Sequence, residues 1–500
     1  MILEPTHLAI DSEFAIGPID PRLFGSFIEH LGRCVYGGVY DPDSSLADAK
    51  GIRQDVIAAA EEMGVTTMRY PGGNFVSNYD WRDGIGPKRG RPVRKDLAWQ
   101  SLESNQFGTD EFLRLCERVG WTPMMTCNLG TAAAREALAW YQYCNDAAGQ
   151  TTLAKEREAN GRAQPYGAKL WCLGNEMDGP WQLGHKSPEL YAGDARAVAK
   201  LLKDGDPEVE TVVCGSSGPQ MATFADWDAR VLDIVGEGAD YIALHNYLGN
   251  RDGDDQGYLF AATTIRRQIA AIDAVCVASA ARRKSAKRAF LCFDEWNVWY
   301  KDTGGLGNWQ HAPHLCEEVY NLEDAIVVSD ILHAFLERAD VVKIANMAQL
   351  VNVIAPMLTT REGLLRQTTF FPFRMFSQRG RGTSLRVALR GPEHDFKRDG
   401  IASRAPFVAA SAVLGEGQIH VLLTNRSQDR SAPVSIRLNH LVPGTIAGEI
   451  LTGTDNKAAN TWESPNAVVP TVFDGAKTDG DTLSAELPPM SLVALTITLA

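Results

Sequence analysis

Between residues 24 and 378, short β-branched or apolar runs alternate with longer amphipathic segments, the rhythm of βα units laid around a parallel sheet. Eight such runs are present, at 23–28, 66–70, 122–127, 169–173, 211–214, 241–244, 289–293 and 341–345. Eight parallel strands with covering helices close into a barrel more naturally than into an open sheet. The intervening segments carry helical faces: Ile52, Val56, Ile57 and Met63 before the second run, and Phe112, Leu115, Cys116 and Val119 before the third. Ser187-Pro188-Glu189 supplies an N-cap hydroxyl, a proline for the first helical position and an early acid, so a helix is predicted from 189 to about 203.

After about residue 380 the pattern changes to short alternating runs, at 419–423, 434–438 and 492–497, separated by Gly, Pro, Asn and Asp turns. That pattern predicts an antiparallel, jelly-roll-like β-sandwich. A chain of 500 residues exceeds what one hydrophobic core usually organises. The expected organisation is an α/β (β/α)8 TIM barrel over 21–378 and an all-β second domain over 379–500, completed by a strand from residues 1–20.

Charge narrows the partners. With 49 Lys+Arg against 62 Asp+Glu the net charge is −13, which opposes attraction to nucleic acid or anionic lipid and favours a neutral small molecule. The N-terminal residues lack a basic and apolar signal pattern, and no run approaches a membrane span, so a soluble intracellular protein is expected. The nine cysteines sit mostly in apolar runs, as in Met125-Thr126-Cys127 and Leu291-Cys292-Phe293, and no two are spaced as CxxC. They read as small core residues rather than disulfides or zinc ligands. The basic cluster at Arg282, Arg283, Lys284, Lys287 and Arg288 reads as a solvated helix end.

In a barrel of this kind the active site lies at the C-terminal strand ends. The first run ends in Glu29-His30, the second in Arg69 to Asn74, the third in Asn128 and the fourth in Gly174-Asn175-Glu176. The sixth ends in His245-Asn246-Tyr247, the seventh in Asp294-Glu295-Trp296-Asn297 and the eighth in Asn346 to Gln349. Carboxylates converging on one mouth repel, and such crowding marks a working site. Glycoside hydrolysis needs one carboxylic acid to protonate the departing oxygen and a second carboxylate to meet the anomeric carbon. Glu176 and Glu295, after strands four and seven, fit across a closed barrel. Asn175 is suited to donate to a sugar hydroxyl, and Trp296 and Trp299 to form an apolar wall. His30, His245, His311 and His314 lack metal-ligand spacing and read as hydrogen-bonding histidines. Gly72-Gly73 lacks a nucleotide-loop context and is expected to permit the tight turn that carries Asn74 inward.

Five segments together resemble one family: 25–32 around Phe27-Ile28-Glu29-His30, 68–75 around Arg69-Tyr70-Pro71-Gly72-Gly73-Asn74, 96–100 with Trp99, 171–179 around Asn175-Glu176, and 293–297 around Glu295. They are similar to the family 51 glycoside hydrolases, the intracellular α-L-arabinofuranosidases. The resemblance implies acid/base at Glu176, nucleophile at Glu295, and furanose contacts from Glu29, Asn74, Asn175 and Gln349. It further implies a Tyr247 hydrogen bond to the nucleophile and pocket positions at Phe27, Trp99, His245 and Trp299. It also implies a hexamer and no cofactor or metal. One departure is Asn78, where many members have glycine.

The expected reaction is release of terminal arabinofuranosyl residues from arabinose-containing oligosaccharides by double displacement. The rival readings are a barrel glycosidase of other specificity, such as a β-xylosidase or endoglucanase, a metal-dependent hydrolase, and a non-catalytic carbohydrate-binding protein. Leaving-group contacts are expected on the loops at 250–257 and 301–311.

Overall fold

A computed structural model describes residues 1–302 and 305–499. Thr303 and Gly304, within the expected leaving-group loop, and Ala500, at the end of the second domain, lie outside the described residues.

Eight strands close into a barrel in which every neighbouring pair is parallel. In chain order they are Gly25–Phe27, Thr67–Tyr70, Thr122–Cys127, Leu170–Leu173, Glu210–Cys214, Tyr241–Leu248, Phe290–Val298 and Val342–Met347. Each corresponds to one of the eight runs read from the sequence. The sixth and seventh extend further than expected, because the polar residues His245-Asn246-Tyr247 and Asp294-Glu295 continue the ladder into the mouth. The first is shorter, since Leu23 and Phe24 belong to a 3-10 turn, Pro21–Phe24.

The barrel interior is filled by Met124, Leu170, Cys172, Val212, Tyr241, Ala243, Cys292 and Ile344, a cluster separate from the outer core. Helices between the strands cover the outside. Pro188–Gly205 starts as predicted, with the Ser187 hydroxyl accepting from Leu190 N. Gln54–Met63 and Thr109–Val119 bury the faces expected of them, apart from Ile52, which precedes its helix, and Val119, which is only partly buried. The helix Leu322–Leu336 is buried at every position, since it lies between the seventh barrel strand and the second domain.

In that second domain ten strands form one continuous ladder. The N-terminal strand Thr6–Pro18 lies inside it, antiparallel to Thr383–Arg390 and parallel to Ala432–Asn439. Every other neighbouring pair is antiparallel. The expectation of antiparallel pairing therefore fails at one pair, where a strand from the far end of the chain enters the sheet. Thr383–Arg390 follows a terminal helix, Phe370–Arg379, directly.

All nine cysteines are free and buried. The basic cluster ends the helix Thr263–Arg282, and three of its residues are ion-paired rather than merely solvated, Arg282 with Asp233, Lys287 with Asp240 and Arg288 with Asp273. No helix among the described residues is long and apolar enough to cross a membrane.

Candidate active site

The seventh strand decides the geometry of the mouth. Along it the three steps from Cys292 to Glu295 span the two from Ala243 to His245 on the sixth strand, and the same extra residue shows between Phe293 and Trp296 against the eighth. A β-bulge of this kind interrupts the in-out alternation. It lets the adjacent acids Asp294 and Glu295 reach the same group, Arg69, while Trp296 turns outward. Trp296 is fully buried against Phe335 and Phe373 of the covering helices, so it forms no wall of the pocket, contrary to the sequence expectation.

Glu295 has both oxygens engaged. Arg69 Nη1 donates to Oε1 at 2.6 Å and Tyr247 Oη donates to Oε2 at 2.8 Å. Arg69 is fully buried, and its Nε lies 3.2 Å from Asp294 Oδ2 while its Nη2 donates to Asn175 Oδ1 at 2.6 Å. Its guanidinium lies over the Phe27 ring, 4.5 Å from the centroid. A buried cation is costly without partners, and here it has three.

Glu176 stands on the turn after the fourth strand in left-handed backbone, φ 45°. A non-glycine residue persists there only where its surroundings over-determine it, and such positions cluster at working sites. Its Oε1 lies 2.9 Å from His245 Nδ1, and its Oε2 accepts from Trp181 Nε1 at 2.5 Å. Burial, reinforced by the Glu295 charge and opposed by His245, holds the Glu176 carboxyl above the usual carboxylate range. His245 turns its other nitrogen to Asp294 Oδ1 at 3.2 Å. Burial disfavours its charge, but Glu295 and Asp294 outweigh that and raise it well above the ordinary histidine value. One oxygen of Glu176, one of Glu295 and a ring nitrogen of His245 lie within 4.8 Å of one another. The missing His spacing in the sequence therefore gave no warning that His245 bridges the two glutamates.

Glu29 forms the opposite wall. Its carboxylate accepts from Phe75 N at 3.0 Å, Trp99 Nε1 at 3.1 Å and Gln349 Nε2 at 2.9 Å. Burial, then the charge of Glu295, pushes it up to about 8. Asn74 opens a 3-10 turn, Asn74–Asn78, and its Oδ1 accepts from Asn175 Nδ2 at 3.4 Å. Gly73 is required for space rather than for a left-handed turn: a Cβ there would stand 2.9 Å from both Glu29 oxygens. Asn78 closes the same turn, so the departure from glycine is accommodated there. Trp299 packs edge-on against Tyr247 with centroids 5.3 Å apart.

The mouth thus joins Glu29, Asn74, Trp99, Asn175, Glu176, His245, Tyr247, Glu295, Trp299 and Gln349, with Phe27 beneath Arg69. Other polar strand ends do structural work. Asn128 caps its own loop, accepting from Gly130 N and Thr131 N. Asn297 donates to the carbonyls of Ala348 and Ile354. His30 is held behind the mouth between Glu103 and Tyr70, while His311 and His314 are bound to Leu102 O and Glu317. Sequence reading assigned no site role to Arg69, Trp181 or Asp294. For Arg69 a signal existed, an arginine at the end of an otherwise apolar barrel strand, which must meet acids.

The family profile described as "Alpha-L-arabinofuranosidase 1 domain" matches residues 59–262, and "Alpha-L-arabinofuranosidase C-terminal domain" matches 294–491. An intracellular exo-α-(1→5)-L-arabinofuranosidase of Streptomyces lividans is 44% identical, over 98% of this chain and 75% of its own. An exo-α-(1→6)-L-arabinofuranosidase of Bifidobacterium longum is 43% identical, over 99% and 97%. Among solved structures, a family 51 α-L-arabinofuranosidase from Bifidobacterium longum superposes with a TM-score of 0.94 at 38% identity, covering 99% of this chain and all of that one.

Proposed function

This chain belongs to glycoside hydrolase family 51 and is an exo-acting α-L-arabinofuranosidase, and we propose that it works by double displacement with Glu295 as nucleophile and Glu176 as acid/base. Glu295 attacks the anomeric carbon of a terminal arabinofuranosyl residue, the bond to the leaving oxygen breaks, and Glu176 gives that oxygen its proton. Glu176, now ionised, takes a proton from water, whose oxygen displaces Glu295 and restores the starting configuration.

The observation that carries this reading is the close approach of two carboxylates held by different partners, Glu295 by Arg69 and Tyr247 and Glu176 by His245 and Trp181. Both oxygens of Glu295 accept hydrogen bonds from Arg69 and Tyr247, which hold the carboxylate in place to meet the anomeric carbon. Burial raises the Glu176 carboxyl above the usual carboxylate range, the direction a general acid requires. Their approach to within 4.8 Å fits the roughly 5 to 5.5 Å of retaining enzymes rather than the about 6.5 to 9.5 Å of inverting ones. Glu29, Asn74, Asn175 and Gln349 hold the furanose hydroxyls. Trp99, Trp299 and Phe27 shape the walls, and His245 keeps Glu176 aimed.

The substrate class is an arabinose-containing oligosaccharide. The relatives differ between (1→5) and (1→6) linkages at nearly equal identity, so linkage preference is set by loops around the leaving group. The reading extends to an intracellular homohexamer, to a barrel over 21–378 and to a second domain over 1–20 and 379–500. The test is transfer to methanol followed by proton NMR of the first-formed product. The methyl α-L-arabinofuranoside is expected, and the β anomer would overturn double displacement.

A further inference from the structure

Two residues beyond Glu176, on the same turn, Asp178 gathers four donors. It accepts from Ser216 Oγ at 2.7 Å, Ser217 N at 2.9 Å, Thr223 Oγ1 at 2.6 Å and the hydroxyl of Ser217. All four stand on the segment after the fifth strand, the strand end from which no functional group was read in the sequence. That segment is itself firmly seated. Ser216 N donates to Asp228 Oδ1 at 3.2 Å, and Ala225 N donates to its other oxygen at 3.0 Å. Gly215 packs so closely that a Cβ there would meet Ala243 O at 2.2 Å.

On the Glu176 side the turn is tight. Gly179 N donates to Glu176 O at 2.8 Å, and Lys186 N to Met177 O at 2.9 Å. Glu176 itself occupies the left-handed region, which a non-glycine residue holds only where its neighbours enforce it. Within the turn, Asp178 is the side chain tied to a neighbouring strand end by four hydrogen bonds.

We propose that Asp178 is a positioning residue: its carboxylate clamps the turn after the fourth strand to the loop after the fifth, and so fixes the direction in which Glu176 delivers its proton. Asp178 need not touch the sugar. The inference rests on Glu176 being the acid/base. A general acid must lie within hydrogen-bond reach of the leaving oxygen, and a misplacement of about 1 Å can cost about 10²-fold. A loose clamp therefore harms substrates that need protonation and spares those that do not.

The test compares kcat/KM, which reports the glycosylation step, on an alkyl arabinofuranoside and on 2,5-dinitrophenyl α-L-arabinofuranoside. For Asp178→Ala the alkyl substrate is expected to lose about 10²-fold and the dinitrophenyl substrate less than about 3-fold. Thr223→Val, which removes one donor, is expected to show the same split at about 10-fold and decides the matter if Asp178→Ala does not fold. Glu176→Ala is measured alongside. If it shows the split while both other variants lose the two substrates equally, or lose neither, the clamp is refuted and the acid/base assignment stands. If Glu176→Ala itself shows no split, the assignment beneath the proposal has failed.

Discussion

Buried charge gathers in two regions of this molecule, and they are balanced differently. At the barrel mouth Glu29, Glu176, Asp294 and Glu295 share Arg69 and His245. Under the second domain Asp330 lies between Arg266 at 2.8 Å and Arg426 at 2.6 Å, and Arg266 also meets Glu337 at 2.7 Å. Nearby, His333 is held neutral between the hydroxyls of Ser411 and Thr424. At the mouth acids outnumber cations, so Glu176 and Glu29 are held above the carboxylate range. At the interface burial is outweighed by Arg266 and Arg426, and Asp330 is driven down to about 2. Surplus negative charge holds the carboxyls up; matched charge ties the barrel to the second domain.

Substitutions at the two regions should therefore fail in opposite ways. The largest effect is expected from Glu295→Ala, which should lower kcat at least about 10⁴-fold, with an unchanged or higher Tm because one crowded carboxylate is gone. A Tm drop matching the lost activity would erase the contrast. Arg426→Met should do the reverse. Leaving Asp330 short of a partner in the interface is expected to cost about 3–5 kcal/mol in denaturant unfolding while kcat/KM of the folded enzyme stays within about 2-fold. Tyr247→Phe removes one donor from Glu295 and should cost about 10²-fold in kcat with stability nearly unchanged.

The smallest effect is one of pH. Burial holds His333 at about 3, below its ordinary 6.5, so the unfolded chain takes up a proton that the folded one refuses. Stability should be lost as pH falls from about 6.5 toward 3, by up to about 1.4 kcal/mol per pH unit from this group. Asp330, depressed below its ordinary value, adds a further loss only below about pH 4. The unfolding free energy of His333→Gln from urea titrations should fall by about 1 kcal/mol less than that of wild type between pH 6.5 and 5.5; identical pH slopes would show that His333 is not what senses acid there.

The barrel was legible because its strands are apolar runs interrupted by helical faces, and every run from 23–28 to 341–345 met a strand. The meeting of Glu176 and Glu295 was legible because both follow strand ends, which a closed barrel gathers at one mouth. Trp296 was misread because a one-residue bulge between Cys292 and Glu295 shifts the alternation, and nothing in Phe293-Asp294-Glu295-Trp296 announces an inserted residue. His245 was undervalued because its partners Glu176, Asp294 and Glu295 come from other strands. The clamp at Asp178 was hidden for the same reason: its donors, Ser216, Ser217 and Thr223, look like ordinary loop residues. The parallel pairing of Thr6–Pro18 with Ala432–Asn439 is set by a contact between distant segments, which local pattern does not encode.

The division of labour between Glu176 and Glu295 is tested most directly by azide rescue of the two alanine variants, with the anomer of each arabinofuranosyl azide assigned by NMR. Glu176→Ala should yield the α-azide, because azide replaces water in the second displacement at an enzyme-bound sugar. Glu295→Ala should yield the β-azide, because azide then attacks the substrate itself once. The same anomer from both variants, or a β-azide from Glu176→Ala, would contradict the assignment.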